Sequence, residues 1–563
     1  MSKNTLSSIR NSALWAAYGD ALGFITELAD SKSLQWRVKA PRVTQTVSWR
    51  RMIGGKFGVE ATLHAGCYSD DTQLRIATCR AIRGDGRFDV EAFAKVELPV
   101  WLAYALGAGR GTKLAAASLR SPDVAWFSNF FEKSKSRYID CGGNGAAMRI
   151  QPHIWAAKER SKPKSYILDV IRNAVCTHGH ERGIFGAVFH AICLANTMET
   201  GKVAGPEIWK EAVDSFRIVL PLIRPDSNLG AIWLSVWEER SERSFESAVE
   251  KVRDECLRDI EIASQFASER SDSSYARMVE ALGGLTEDER GSGTRSAIIA
   301  SALSWIHRSD YPATALVKAA NLLGSDSDTI ATMAGAILGV VSNEPPRGPV
   351  LDADYIELEA SRLHRISEGQ QAESFVYPDL FAWHAPRTQL DAIGRVNGSF
   401  ALAGLAKATE LGPPLKGIKK DDSIWQWLRL EIGQSVFAKR RENPRSLLEG
   451  DLPLSQNLDL DHYCPKSVPA YKTPGREIAE QRNLLEDRIT GSHNHDTDLA
   501  SIDILTSEAI RQGFDEKLIG KHLLLLAQQP DGIERAIGYV SIILKARKAR
   551  HSPRETSRST THR

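Results

Sequence analysis

The chain has 563 residues, with 72 Lys and Arg against 70 Asp and Glu, for a formal charge of +2. That balance excludes a molecule working by bulk attraction to a polyanion, and no uninterrupted apolar run is long enough to cross a bilayer. The length predicts roughly two to four domains. Met1 to Arg10 lacks the apolar core of a secretory signal, and the seven cysteines show no CxxC spacing, so reduced thiols and a cytoplasmic location are expected.

In chain order, a first helix is predicted where Leu14, Tyr18, Ala21, Leu22 and Ile25 fall at helical spacing, with Gly19-Asp20 inside it or near its end. Ser69-Asp70-Asp71-Thr72 then leads into a second helical run carrying Leu74, Ala77, Ala81 and Ile82. Further helices are predicted over 90–106, 165–176, 183–197, 206–219 and 296–306, with Cys79, Cys176 and Cys193 as core residues. Asp326-Ser327-Asp328-Thr329 precedes Ile330, Met333, Ala334, Ile337 and Leu338, a strongly amphipathic pattern. No alternating strand pattern competes in this region, so the expected fold is mainly α, all-helical over 1–341. The run Ser342–Pro349, with Pro345, Pro346 and Pro349, breaks helix repeatedly and predicts a boundary. Beyond it, 342–419 reads as linker and mixed α/β, and 420–545 as a smaller α+β domain with helices centred on 423–439 and 534–545. The remainder, 546–563, reads as a basic, disordered tail.

The two acidic motifs carry the chemistry. Each places two carboxylates and a hydroxyl within four residues at the start of a helix. One reading is helix capping, for which Asp, Ser and Thr are favoured. A cap needs one such residue, however, and all four residues of each motif are of these types. Four carboxylates brought together call for a cation, and the all-oxygen set suits Mg²⁺ or Mn²⁺.

Gly19-Asp20-Ala21-Leu22-Gly23 with Glu27 and the Ser69–Thr72 motif resembles the ADP-ribosylglycohydrolase family. Gly142-Gly143-Asn144-Gly145-Ala146-Ala147-Met148-Arg149, Thr177-His178 and the Asp326–Thr329 motif follow in the family's order. The resemblance covers about 7–341. It implies an all-α domain holding a pair of Mg²⁺ ions, with Ser69, Asp70 and Asp71 ligating from one side and Asp326, Asp328 and Thr329 from the other. It further implies that Gly143, Asn144, Gly145, Met148 and His178 contact the ADP-ribosyl group, and that Asp71 or Glu27 takes the proton of the attacking water. For the glycine loop, a plain turn between helices stays open, as does a structural role for His178. The chain departs from the family at Gly179-His180-Glu181 and Phe24-Ile25-Thr26, which bears on substrate choice.

A second motif, Leu458-Asp459-Leu460-Asp461-His462-Tyr463-Cys464-Pro465, resembles the core of HNH endonucleases, with Gln481–Leu485 as its Asn-Leu element. The resemblance implies an HNH-like (ββα-metal) core over about 420–515, preceded by a helix at 434–441. His462 would be the catalytic base, with Asp461 and Asn494 on a further divalent metal and nucleic acid as partner. A structural zinc site or a surface loop is the plain alternative. The combined expectation is a Mg²⁺-dependent hydrolase of ADP-ribosylated protein or nucleic acid, joined to a nuclease in a prokaryotic defence or conflict system. A non-catalytic ADP-ribose sensor controlling the nuclease is the rival, and a nuclease with an inert N-terminal scaffold is a third reading.

Overall fold

The computed structural model describes residues 5–133, 136–269, 271, 273–417, 422–453, 502–528 and 532–551. It divides into two compact units, Met1–Leu458 and Asp459–Arg563.

The first unit is built around two helices that are hydrophobic on every side. Helix α1 (Thr5–Thr26) is buried from Ser8 onward apart from Arg10, and in the later helix α5 (Ser327–Val341) only the last residue escapes full burial. Such all-round burial marks core helices rather than surface ones. The pair lies backbone against backbone. A Cβ on Gly19 would stand 2.3 Å from the Ala331 carbonyl oxygen, and one on Gly335 2.3 Å from that of Trp15. Between them in sequence come α2 (Asp70–Ala81), α3 (Glu181–Thr200) and α4 (Gly293–Ile306), which complete the surrounding helical layers. Cys79, Cys176 and Cys193 are all buried.

Most predicted helices are present, at Ile167–Val175, Glu181–Thr200, Pro206–Asp214 and Gly293–Ile306. The helix expected over 90–106 is present from Val90 to Trp101, with a π-helical stretch at Phe93–Glu97 in its middle, and it ends short of the expected limit. An antiparallel hairpin was not anticipated: β1 (Trp49–Ile53) pairs with β2 (Val59–Leu63), Trp49 opposite Leu63. In β1 the three central residues stay partly or fully exposed, so the strand shows no clean alternation to read.

The prolines after Val341 end α5 without ending the unit. Helix α6 (Ala353–Ser367) packs back on α1, so the helical body continues beyond the expected edge at 341. A six-stranded antiparallel sheet follows in the same unit. Its strands are β3 (Ile393–Val396), β4 (Ser399–Leu402), β5 (Ala406–Glu410), β6 (Leu415–Lys416), β7 (Ser423–Leu430) and β8 (Ser435–Arg441). The order is β8-β7-β5-β4-β3, with β6 also paired to β7. Asn397-Gly398, both at positive φ, makes the tight turn from β3 to β4.

This sheet corrects three expectations. Residues 423–439 are not a helix, the 434–441 segment is a strand, and the sheet runs straight across the expected division at 419. The cause is double burial. In β7 only Trp425 and Arg429 keep appreciable exposure, so the period-two signal of a half-buried strand is lost. Docking is polar as well as apolar. The buried Asp352 carboxylate accepts from Tyr68 Oη and the Ser435 N–H, both at 2.7 Å, and pairs with Arg429. The Arg80 guanidinium pairs with Glu97 at 2.7 Å, both fully buried, and donates to Gln434 Oε1 at 2.9 Å.

Within the second unit, α7 (Ile502–Arg511), α8 (Glu516–Ala527) and α9 (Gly532–His551) share a small core of Leu505, Ala509, Phe514, Leu526, Tyr539 and Ile543. Helix α9 covers the predicted helix over 534–545. It runs on to His551, so the segment from Arg547 to His551 is helical rather than a disordered tail; 552–563 lie outside the described residues. Among the described residues no helix is long and apolar enough to cross a membrane.

Candidate active site

The first acidic motif is shaped by α1. The Asp20 carboxylate, fully buried, accepts from the Ser69 N–H and the Thr72 N–H, each at 2.8 Å, and so holds both ends of the turn that opens α2. Ser69 is the N-cap, its Oγ accepting from the Asp71 N–H at 3.3 Å. Capping therefore accounts for Ser69, which does not line the cavity described below. It does not account for Asp70 or Asp71, whose side chains make no capping bond and line the cavity.

The second motif comes in through the glycine seam. Gly23 lies so close to the start of α5 that a Cβ there would stand 2.4 Å from the Asp328 Cα. Ser327 Oγ donates to the Gly23 carbonyl at 3.0 Å. Asp326 occupies the N-cap position of α5 but makes no capping bond; its Oδ2 accepts from Asn144 Nδ2 at 2.9 Å. The motifs meet where Thr329 Oγ1 donates to Asp71 Oδ1 at 3.4 Å across 258 residues.

Glu27, Asp70, Asp71, Asp326, Asp328 and Thr329 line one cavity of about 450 Å³. That volume is ordinary for a small-molecule site. Gly143, Asn144, Gly145, Met148 and His178 line it as well. Asn144 is tied in by its N–H, which donates to the Gly291 carbonyl at 3.0 Å, and by its bond to Asp326. The glycine loop is thus a wall of the cavity, not a remote turn. A side chain at Gly145 would meet Thr112 Oγ1 at 2.9 Å and the His178 ring at 3.1 Å.

The electrostatics follow from crowding. Burial first, then the charges of Glu27 and Asp20, push the Asp70 carboxyl well above the usual carboxylate range. Burial with Asp20 and Asp70 does the same to Asp71, and burial with Glu27 and Asp71 to Asp328. Glu27 is raised by burial, with the Arg51 charge working the other way. Arg75 is buried beside Asp20 and Asp71 and donates to Thr72 Oγ1 at 2.7 Å. His178 is held neutral: burial, then the nearby Arg149 charge, push it down to about 3. Its Nδ1 lies 2.7 Å from Thr177 Oγ1, which also accepts from Arg149 at 2.9 Å.

The donor set suits a hard divalent cation. Asp71 Oδ2 is buried with no hydrogen-bond partner, an arrangement that is costly for a carboxylate unless something binds it. The surrounding oxygens are carboxylates and a hydroxyl. Among the described residues, no three carboxylate, imidazole or thiol groups close on one point as ligands.

The family model for ADP-ribosylglycohydrolase matches residues 1–370. The chain belongs to the ADP-ribosylglycohydrolase family. The match extends the resemblance through α6, and the family is generally divalent-metal dependent. A solved structure described as an "ADP-ribosylglycohydrolase-related protein complex" is 18% identical, covering 64% of this chain and 99% of its own, with a TM-score of 0.40. No curated protein matches.

Of the two departures from the family pattern, the one at Gly179-His180-Glu181 has a structural explanation. His180 caps α3, its Nδ1 accepting from the Arg182 N–H at 3.2 Å, and Glu181 pairs with Arg243 at 2.6 Å. His462, Asp461 and Asn494 lie outside the described residues. Sequence reasoning passed over Asp20 as a working residue although it quoted the motif containing it. It also missed Arg37 and Arg51, which flank Glu27 from segments carrying no motif.

Proposed function

We propose that the cavity hydrolyses the glycosidic bond of ADP-ribosyl groups with the help of divalent metal, Mg²⁺ or Mn²⁺. The supporting observation is that both acidic motifs and the Gly143–Met148 wall face one another across a single cavity. In this reading Asp70, Asp71, Asp326, Asp328 and Thr329 hold the metals, with Ser69 fixing the turn between them. Bound metal would supply positive charge to orient the ribose hydroxyls and to lower the pKa of a water. Asn144 keeps Asp326 aimed into the site, and Gly143, Gly145, Met148 and His178 line the path of the ADP-ribosyl group.

Two cavity carboxylates lie outside that donor set, Glu27 and Asp140. Both Asp140 oxygens accept from Arg137, at 2.8 and 3.0 Å, so Glu27 is the group assigned to take the proton from the attacking water. The water oxygen bonds to the anomeric carbon, and the bond to the acceptor breaks with its electron pair going to the acceptor. The proton held by Glu27 then passes to that leaving group. His178, kept neutral by its surroundings, serves as a hydrogen-bonding wall rather than as a proton donor. The HNH-type nuclease expected at Asp461, His462 and Asn494 has no comparable support, since those positions are outside the described residues and the family match stops at 370.

The test is release of free ADP-ribose from ADP-ribosylated proteins and nucleic acids, with Mg²⁺ or with EDTA. Release should require metal and fall by about a hundredfold or more in Asp328→Ala. No release from any substrate, with ADP-ribose still bound, would instead make the domain a sensor.

A further inference from the structure

Glu27 follows directly on the last residue of α1, and two arginines close over that helix end. Arg37 Nη1 donates to the carbonyls of Ile25 and Glu27, both at 2.8 Å, and Arg51 Nη1 to that of Phe24 at 3.4 Å. A cation at a helix C-terminus is favourable in general. Arg51 does more, because its Nη2 pairs with Glu27 Oε2 at 2.8 Å, with side-chain exposures of only 16% and 12%. Its guanidinium also lies over the Phe24 ring, 4.3 Å from the centroid, and near Trp49 at 5.7 Å. The arginine is therefore held on several sides and presents a fixed partner to Glu27.

Arg51 belongs to β1, and the hairpin that carries it leans on the C-terminal sheet. At the tip, Gly54 has φ +87° and sits so near Trp425 of β7 that an added Cβ would be 3.0 Å from the indole Cζ2. Gly417, just after β6, approaches the Phe57 carbonyl oxygen to within 2.9 Å of its own would-be Cβ. Past β2, the His64 ring lies 5.0 Å from that of Trp427. Trp425 is itself backed by Phe437, stacked at 5.7 Å with 17° between planes. All of these sheet residues lie beyond the family match.

We infer that Arg51 is a positioning residue for Glu27, and that the sheet, through Trp425 against Gly54, braces the hairpin so that this pair forms. The sheet is thus part of the machinery of the site without touching the cavity. The inference rests on the reading of Glu27 given above. A residue that acts only through Glu27 loses its effect when Glu27 is gone, and double-mutant cycles test that.

Arg51→Met, Trp425→Ala and Glu27→Gln are compared singly and in pairs in the full chain, by ADP-ribose release and by thermal unfolding. Arg51→Met should lower kcat by about a hundredfold, the scale of misplacing a catalytic group, while KM changes little. Trp425→Ala should lower kcat less, and Trp425→Phe should restore it. In the Glu27→Gln background neither should lower kcat further. On unfolding, Glu27→Gln should raise the Tm of Arg51→Met, because it removes a carboxylate left without its cation. Multiplicative losses of kcat together with additive Tm shifts would overturn the inference. If the wild-type chain releases no ADP-ribose, the functional reading fails, and the Tm cycle alone decides whether the Trp425–Arg51–Glu27 brace exists.

Discussion

At the residue scale, the two oxygens of Asp71 have different fates. Oδ1 lies 3.4 Å from both Ser69 Oγ and Thr329 Oγ1, whereas Oδ2 is buried and unpartnered. Raised carboxyl pKa values at Asp70, Asp71 and Asp328 mean that the metal-free fold binds more protons than the unfolded chain. Their stabilising contribution is present below the ordinary Asp value and is lost as pH rises through the raised values. A divalent cation reverses that loss, so Mn²⁺ should raise Tm more at pH 8 than at pH 5, and Asp71→Asn should remove most of the gain. The buried histidines behave oppositely. His190, held down to about 3 by burial, contributes stability above the ordinary His value of 6.5 that is lost as pH falls toward 3. The slope reaches about 1.4 kcal/mol per pH unit. The stability difference between wild type and His190→Gln, measured by urea unfolding, should therefore shift in favour of the variant between pH 7 and pH 4.5.

At the scale of elements, the seam between α1 and α5 delivers the chemistry. Gly19 and Gly23 bring the α5 backbone close enough to set Asp326 and Asp328 opposite Asp71. Gly23→Val places side-chain atoms where the Ser327 carbonyl oxygen now lies, 2.4 Å from the would-be Cβ. It should cost about 3 kcal/mol in chemical unfolding and abolish any metal-dependent stabilisation. Gly201→Ala is the contrast. Gly201 has φ +66° but open space around it, so the cost should be about 1 kcal/mol with metal binding intact. Helix α5 was legible in sequence because apolar residues recur at helical spacing behind a distinctive acidic start, although its burial on every side is not the one-faced burial that an amphipathic pattern predicts. The strands β7 and β8 were not, since cover on both faces removes the alternation that identifies a strand. The Asn397-Gly398 turn was the readable sign of that sheet.

At the scale of the whole molecule, the sheet and the helical body share one unit. Arg80 and Glu97 reach Gln434, and Asp352 reaches Ser435 and Arg429. A chain ending at residue 370, the limit of the family match, loses all of these partners. It should melt lower and less cooperatively than a chain ending at residue 453, as followed by circular dichroism.

The sequence by itself determined the family, the helical character of the body and part of the cavity lining, namely Glu27, the carboxylates of the two acidic motifs, Gly143 to Gly145, Met148 and His178. These are local signals, carried by spacing within a few turns of chain. It did not determine Gly107, Gly109, Gly111, Asp140 or Gly291, which line the cavity too. Only the tertiary structure decided that Asp20 clamps the first motif, that Asn144 holds Asp326, and that Arg51 reaches Glu27. It also decided that the sheet belongs with the helical body. Each of these contacts joins segments far apart in the chain, and the packing that creates them depends on glycine seams and doubly buried strands, which leave no periodic trace in one sequence.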